Sequence, residues 1–232
     1  MQIEILQIIE GAKKAKGLTV VIDVFRAFSL ECYLFDRGVK EIIAVGALEE
    51  AYRIKEEHPD YILIGERMGK ICEGCDYGNS PSQTASVDLS GKVIIHTSGA
   101  GTQGIVNATN ADELVTGSLV NAKAVAAYIK KKNPESVSLV CMGKRGIAET
   151  EEDTLCAEYI RSLLLEQPFD IKERALALKE RAAKHFFALE NQDVFPEQDF
   201  WMCIDVDRFP FVLSVQKDTA GRNVVRKYLI ES

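Results

Sequence analysis

No stretch of this sequence is apolar for long enough to span a bilayer, and its first residues show neither the charged n-region nor the apolar h-region of a secretory leader. The expected location is therefore the cytoplasm, with no membrane partner. Basic residues are outnumbered: 28 Lys and Arg against 35 Asp and Glu give a formal charge of −7. A nucleic-acid surface needs a basic face, so that class of partner is set aside. A small anionic ligand is not, because a few arginines, helix N-termini or a metal ion can hold one. The histidines, His58, His96 and His185, are not spaced to complete a zinc site with Cys72 and Cys75, and no second CxxC pair exists. The turn TSGAGT at 97–102 lacks the Gly-Lys-Ser/Thr of a Walker loop. After Asp23 there is no second Asp two residues on, as haloacid-dehalogenase phosphatases require; Phe25 stands there. Internal repeats and low-complexity segments are also missing.

What remains is a globular chain. Its 232 residues, 47% hydrophobic and 27% charged, suit one α/β domain, with residues 172–232 as a candidate C-terminal subdomain. Apolar runs at 3–8, 18–24, 39–45, 61–64, 92–97, 113–116 and 137–142 read as strands. The 18–24 run, LTVVIDV, is β-branched almost throughout, as in a strand buried on both faces of a parallel sheet. Helical patterns at 25–37, 48–57, 103–109, 119–132 and 150–166 alternate with them, while 11–17 reads as a Lys-rich connector. The fold expected is a three-layer α/β/α arrangement around a mainly parallel, mixed sheet. A C-terminal α+β extension follows: a long helix over 172–189, then strands at 201–204, 211–215 and 223–229 added at a sheet edge.

In an open α/β sheet, ligands bind beyond the carboxyl ends of the strands. Those positions carry Asp23 and Arg26, Glu66 and Arg67, Thr97, Ser98 and Gly99, then Lys144 and Arg145, and the acidic helix start Glu151, Glu152, Asp153. Acids and arginines on one edge are what a metal–phosphate site requires. Residues 65–81 form a long loop holding Glu66, Arg67, Asp76, Asn79 and Ser80, groups that bind hard cations and anions. TSGAGT can cradle a phosphate on backbone N–H groups. Plainer readings stand beside each of these. The loop can be a rigid surface loop, TSGAGT a capped tight turn, Asp23 a helix N-cap, Thr150-x-x-Asp153 a capping box and Lys144-Arg145 a solvated turn. Cys72 and Cys75 read first as thiols of the core, with a zinc pair or a redox pair as the less favoured alternative.

VVIDVFRAFS, LIGERMG, DYGNSP, TSGAGT, GSLVNAKAVA, the Glu152-Asp153 helix and FPEQDFWMCIDVDRFPFV occur in an order that resembles the 2-phosphosulfolactate phosphatase (ComB-like) family over most of the chain. The resemblance implies a Mg²⁺-dependent phosphatase converting 2-phospho-3-sulfolactate to 3-sulfolactate and phosphate, as in coenzyme M biosynthesis, and a homodimer. Asp23, Arg26, Glu66, Arg67, Asp76, Asn79, Ser80, Thr97, Gly99 and Asp153 fall on family positions. On this reading Asp23, Glu66, Asp76 and Asp153 hold Mg²⁺. Asp23, Arg26, Arg67 and Asp153 are catalytic. Asn79, Ser80, Thr97, Ser98, Gly99, Lys144 and Arg145 bind the phospho-acid. Two departures stand out: TSGAGT replaces a turn closer to TTNGT, and Cys72 and Cys75 precede Asp76. The competing expectation is a non-catalytic sensor of anionic metabolites with the same pocket.

Overall fold

The structure, a computed structural model, describes residues 1–230. Strand β1 (Gln2–Gln7) runs into a short helix, α1 (Ile8–Lys14), where the sequence suggests a connector. Gly11 lets α1 fold back on β1, since a Cβ there would meet Leu6 Cβ at 2.9 Å, and Lys13 and Lys14 suit the helix's C-terminal end. β2 (Gly17–Ile22) is buried at every position, as its β-branched run requires. α2 (Ala27–Asp36) is buried at nine of its ten residues, Ala27 through Phe35. A helix apolar all round belongs inside a fold, and α2 lies at its centre.

β3 (Glu41–Ala44), α3 (Leu48–Glu57) and β4 (Ile62–Arg67) follow. The loop expected over 65–81 is partly regular: β4 continues to Arg67, pairs with a two-residue strand β5 (Lys70–Ile71), and a turn of helix, α4 (Pro81–Thr84), closes it. Then come β6 (Val93–Thr97), α5 (Gly101–Asn107), β7 (Ala111–Gly117), α6 (Ala122–Lys132), β8 (Ser136–Cys141) and α7 (Glu151–Leu164). The long helix expected over 172–189 breaks. α8 (Ile171–Ala177) gives way to single 3₁₀ turns, because Phe186 turns inward against Phe25 and Phe200. Packing of those rings overrides the helix propensity of the segment. Residues 201–204, read as a strand, belong instead to helix α9 (Glu197–Cys203), which Pro196 and two first-turn acids start. Asp199, Phe200 and Cys203 form its buried face.

The last two strands, β9 (Phe211–Lys217) and β10 (Asn223–Leu229), form a hairpin. The sequence suggests a place at the edge; the structure puts them in the middle. Among the described residues ten strands are ordered β1-β8-β2-β7-β9-β10-β3-β6-β4-β5. β1, β8, β2 and β7 pair in parallel, as do β3, β6 and β4, while β9 and β10 join the two blocks by antiparallel pairing. By these pairings the two parallel blocks run in opposite senses. A flat sheet would place their carboxyl ends on opposite edges. Here those ends meet, which requires the sheet to twist and curl. It curls around α2: one apolar cluster joins Phe28, Leu30, Leu34 and Phe35 to Val21 and Val140 of the first block, Leu213 and Val225 of the hairpin, and Ile42, Ile64 and Ile94 of the second. Outer layers complete the α/β/α arrangement, α6, α7 and α8 on the first block and α3 on the second. Among the described residues no helix is long and apolar enough to cross a membrane.

Candidate active site

The converging ends enclose a cavity of about 750 Å³. Asp23, Phe25 and Arg26 enter it from the β2–α2 turn. Glu66, Met68, Gly69 and Asn79 come from β4 and the segment after it. Gly99 and Ala100 follow β6, and Gly143, Lys144 and Arg145 follow β8. Glu149 through Glu152 open α7, and Ala182, His185 and Phe195 close the far wall. Asp23, Glu66 and Glu152 are each less than a tenth exposed, and none of them forms an ion pair among the described residues. Burial, then the nearby Glu66 carboxylate, pushes Asp23 up to about 7. Burial also raises Glu152. Crowded buried acids without a cation are costly unless something positive arrives.

The other expected site residues divide into groups. Gly99, Asn79, Lys144 and Arg145 reach the cavity, and Asn79 is buried with its Oδ1 unpartnered. Arg26 also lines it, but its guanidinium is committed: Nη1 donates to Asp199 Oδ2 and the Val194 carbonyl, each at 2.8 Å, and Nη2 to the Gly69 carbonyl at 2.9 Å. Arg67 turns away, donating to Thr97 Oγ1 at 3.0 Å and to the Gly46 and Glu66 carbonyls. Thr97 is thereby held behind the site. Ser98 and Thr102 cap one another: the Ser98 amide donates to Thr102 Oγ1 at 2.9 Å and the Thr102 amide to Ser98 Oγ at 3.1 Å. The Gly99 amide donates to Glu66 Oε1 at 2.6 Å. Both amides expected to face a phosphate are therefore spent inside the protein. Ser80 caps α4 and donates to Asp199 Oδ1 at 2.9 Å. Asp76 lies elsewhere, accepting from Lys55 Nζ at 3.0 Å and the Leu63 amide at 2.8 Å, and it does not line the cavity.

The expected four-acid Mg²⁺ set is accordingly not gathered. Asp153 accepts the Val24 amide on Oδ1 and the Gly143 amide on Oδ2, both at 2.8 Å, so it pins the ends of β2 and β8 together. Burial, then Asp23, pushes its carboxyl upward. Both Glu66 oxygens are taken, by Gly99 and by the Gly69 amide at 2.7 Å. Among the described residues no three or more His, Cys, Asp or Glu side chains form a closed metal site. Mg²⁺ asks for less: it keeps several waters and is usually bound by one or two carboxylates plus substrate oxygens. Asp23 and Glu152, buried acids facing the cavity without a basic partner, fit a hydrated ion of that kind.

The sequence assigns no individual site role to Glu152, His185, Phe195 or Asp199. Glu152 stands in an acidic run; adjacent helical residues point about 100° apart, and periodicity alone does not say which of two acids faces a cavity. His185 lies in a stretch read as regular helix, so nothing marked it. Burial lowers its pKa below the ordinary value. Cys72 and Cys75 are both held as neutral thiols. All six cysteines are free, and burial raises both thiols, Cys75 to about 11. Neutral thiols are poor nucleophiles and ligands. Cys75 packs on Gly65, where a Cβ would meet its Sγ at 2.6 Å.

The family model described as 2-phosphosulpholactate phosphatase matches residues 5–218. A probable 2-phosphosulfolactate phosphatase of Bacillus subtilis (strain 168) is 31% identical over 207 residues, covering 87% of this chain and 88% of the relative. A protein of the same description from Caldanaerobacter subterraneus subsp. tengcongensis is 30% identical over 83% of this chain and 85% of its own length. Another, from Carboxydothermus hydrogenoformans, is 38% identical over 72% and 69%. With the match running from the first strand into the central hairpin, this chain belongs to the 2-phosphosulfolactate phosphatase family.

Proposed function

We propose that this protein hydrolyses the phosphomonoester of a small polyanionic acid, with 2-phospho-3-sulfolactate as the first candidate and 3-sulfolactate and phosphate as products. The observation that carries the reading is the cavity's polarity. Asp23 and Glu152, buried acids without basic partners among the described residues, and the basic Lys144 and Arg145 line the same cavity. A phosphorylated sulfo-acid brings two kinds of anion, and such a site divides them between a cation bridge and basic side chains. Mg²⁺ bound to Asp23 and Glu152 would neutralise the phosphoryl oxygens as charge develops on them.

The chain's own residues supply the rest. Lys144 and Arg145 attract and orient the carboxylate and sulfonate. Asn79 offers a buried amide with an unpartnered oxygen to water or to the product hydroxyl. Glu66 fixes the Gly99 turn, and Asp153 fixes the relation of β2 to β8, so the reacting groups are held before substrate arrives. In the reaction a P–O bond forms to the nucleophile and the ester P–O bond breaks. The leaving oxygen takes a proton, originating from water, to become the hydroxyl of the product. Two routes share this stoichiometry: direct attack by water, and attack by Asp23 through an aspartyl-phosphate. Quenching during turnover of ³²P-labelled substrate separates them, since an acid-stable phosphorylated Asp23 peptide, reducible by borohydride, accumulates only on the second.

The proposal includes a cytoplasmic homodimer, on family resemblance, and a role of the coenzyme M type. The deciding experiment is phosphate release from 2-phosphosulfolactate, 2-phospholactate and phosphoglycolate, with Mg²⁺ and with EDTA. Mg²⁺-dependent release favouring the sulfonate is expected. Release without that preference would keep the phosphatase and discard the substrate. Binding without release from any of the three would establish the sensor instead.

A further inference from the structure

Asp199 is fully buried, remote in sequence from every acid singled out for chemistry, and used by no step above. Its Oδ1 accepts from Ser80 Oγ at 2.9 Å, the Ser82 amide at 2.9 Å and Ser82 Oγ at 2.6 Å. Its Oδ2 accepts from Arg26 Nη1 at 2.8 Å. Arg26 in turn ties the Val194 and Gly69 carbonyls and lies over the Phe195 ring, 5.0 Å from its centroid. Phe195 sits so close to Gly69 that a Cβ at Gly69 would lie 2.2 Å from the ring's Cζ. One carboxylate and one guanidinium thus bind together three separate walls of the cavity. These are the β2–α2 turn, the segment from Gly69 to α4, and the far wall that presents His185 and Phe195. Asn79 adjoins Ser80, so its unpartnered Oδ1 is aimed through the same link.

We infer that Asp199 is a positioning residue that, through Arg26, Ser80 and Ser82, holds Asn79 and the far wall in register with the carboxylates of the cavity. The inference rests on the proposed phosphatase reading only for its kinetic readout. Arg26, whose place after VIDVF suggests a phosphate fork, acts here as the other half of the clamp. Among the described residues neither Asp23 nor Glu152 accepts a hydrogen bond from Arg26, and the Ala27 amide holds Asp23 Oδ1 at 3.3 Å, so the effect should fall on substrate capture more than on turnover.

The test compares Asp199→Asn, which keeps an oxygen acceptor for the serines but deletes the charge, with the milder Ser82→Ala. The control is Ile54→Ala, a cavity-forming change under α3 and away from the site. Amide hydrogen exchange is followed alongside kinetics. In Asp199→Asn, exchange should quicken within 66–82 and 178–203 and little elsewhere. KM should rise about 30-fold or more with kcat within about threefold, the scale of losing the orientation of a binding wall. Ser82→Ala should affect the same segments with a KM rise of about fivefold, and it decides the matter if Asp199→Asn does not fold. Ile54→Ala should leave KM unchanged. Exchange that is unaltered, or quickened over the whole chain, would overturn the inference. So would an unchanged KM in both site variants. If the wild-type protein releases no phosphate, the proposed function falls while the exchange pattern still decides the role of Asp199.

Discussion

Two groups of buried charge lie within one cavity wall of each other, and the chain treats them in opposite ways. Asp199 and Arg26 are 0% and 3% exposed, and each oxygen and each Nη has a partner. Asp23, Glu66 and Glu152 are comparably buried, yet no lysine or arginine neutralises them. The first group is satisfied within the protein, so it builds architecture. The second is satisfied only for hydrogen bonds, and its charge is left for something that binds. Burial is common to both; a counter-charge marks the pair that builds architecture, whereas an acid that lacks one and faces the cavity is open to a ligand.

The strongest way to break this contrast is Asp23→Asn. Turnover should fall about 10³-fold or more, the scale of losing a group that stabilises developing charge. Stability should move the other way. Asp23 is raised in the folded state to about 7 from an ordinary 3.8. Its stabilising contribution is therefore complete below pH 4 and lost as pH rises through 7. The neutral amide escapes that loss, so the melting temperature of the variant should exceed wild type by a margin that grows from pH 4 to 7 and then levels. Melting curves at pH 5 and pH 8 without metal check this. A variant less stable than wild type at pH 8 would mean that Asp23 is already compensated.

Asp199→Ala should show the inverse pattern. Removing one partner of a buried ion pair costs about 3–5 kcal/mol, so the melting temperature should drop by roughly 10 °C. Chemical denaturation measures the loss directly, and a change under about 1 kcal/mol would contradict the clamp. Next in size is Lys144→Ala combined with Arg145→Ala. KM should rise about tenfold with kcat kept, and the wild-type advantage should shrink as ionic strength rises, because both groups are partly solvated. Equal KM values in the two proteins would return these residues to a solvated turn. Asp76→Asn should do least. With its carboxylate on Lys55 and the Leu63 amide, activity should stay within about threefold of wild type, the stability change being on the order of 1 kcal/mol. A loss as large as that of Asp23→Asn would put Asp76 back among the metal ligands.

Much of the frame is legible from residues in order. The β-branched run of β2 sits between two apolar layers as its composition requires, and the β-α alternation maps onto parallel pairing. Legibility ends where distant segments meet. Arg67 and Arg26 look alike as phosphate forks, yet one is absorbed by the Thr97 hydroxyl and the other by an acid 173 positions away. Glu152 and Asp153 are neighbours in an acidic run, yet one lines the cavity and the other staples two strands. Local pattern carries no record of which partner a side chain will find.

The layers, the alternation of strand and helix, the acidic character of the candidate site and the family are written in the residues in order. These follow from composition, short-range periodicity and ordered motifs, which are local properties of the chain. Only the tertiary structure decided that the last hairpin lies at the centre of the sheet, that the two parallel blocks run oppositely and curl until their ends meet, and that Asp76 stays outside. The reason is physical: strand order, curvature and ion pairing are set by contacts between residues far apart in the chain. Asp23 and Glu66 become neighbours only because β9 and β10 separate their strands and α2 gives the sheet something to wrap around.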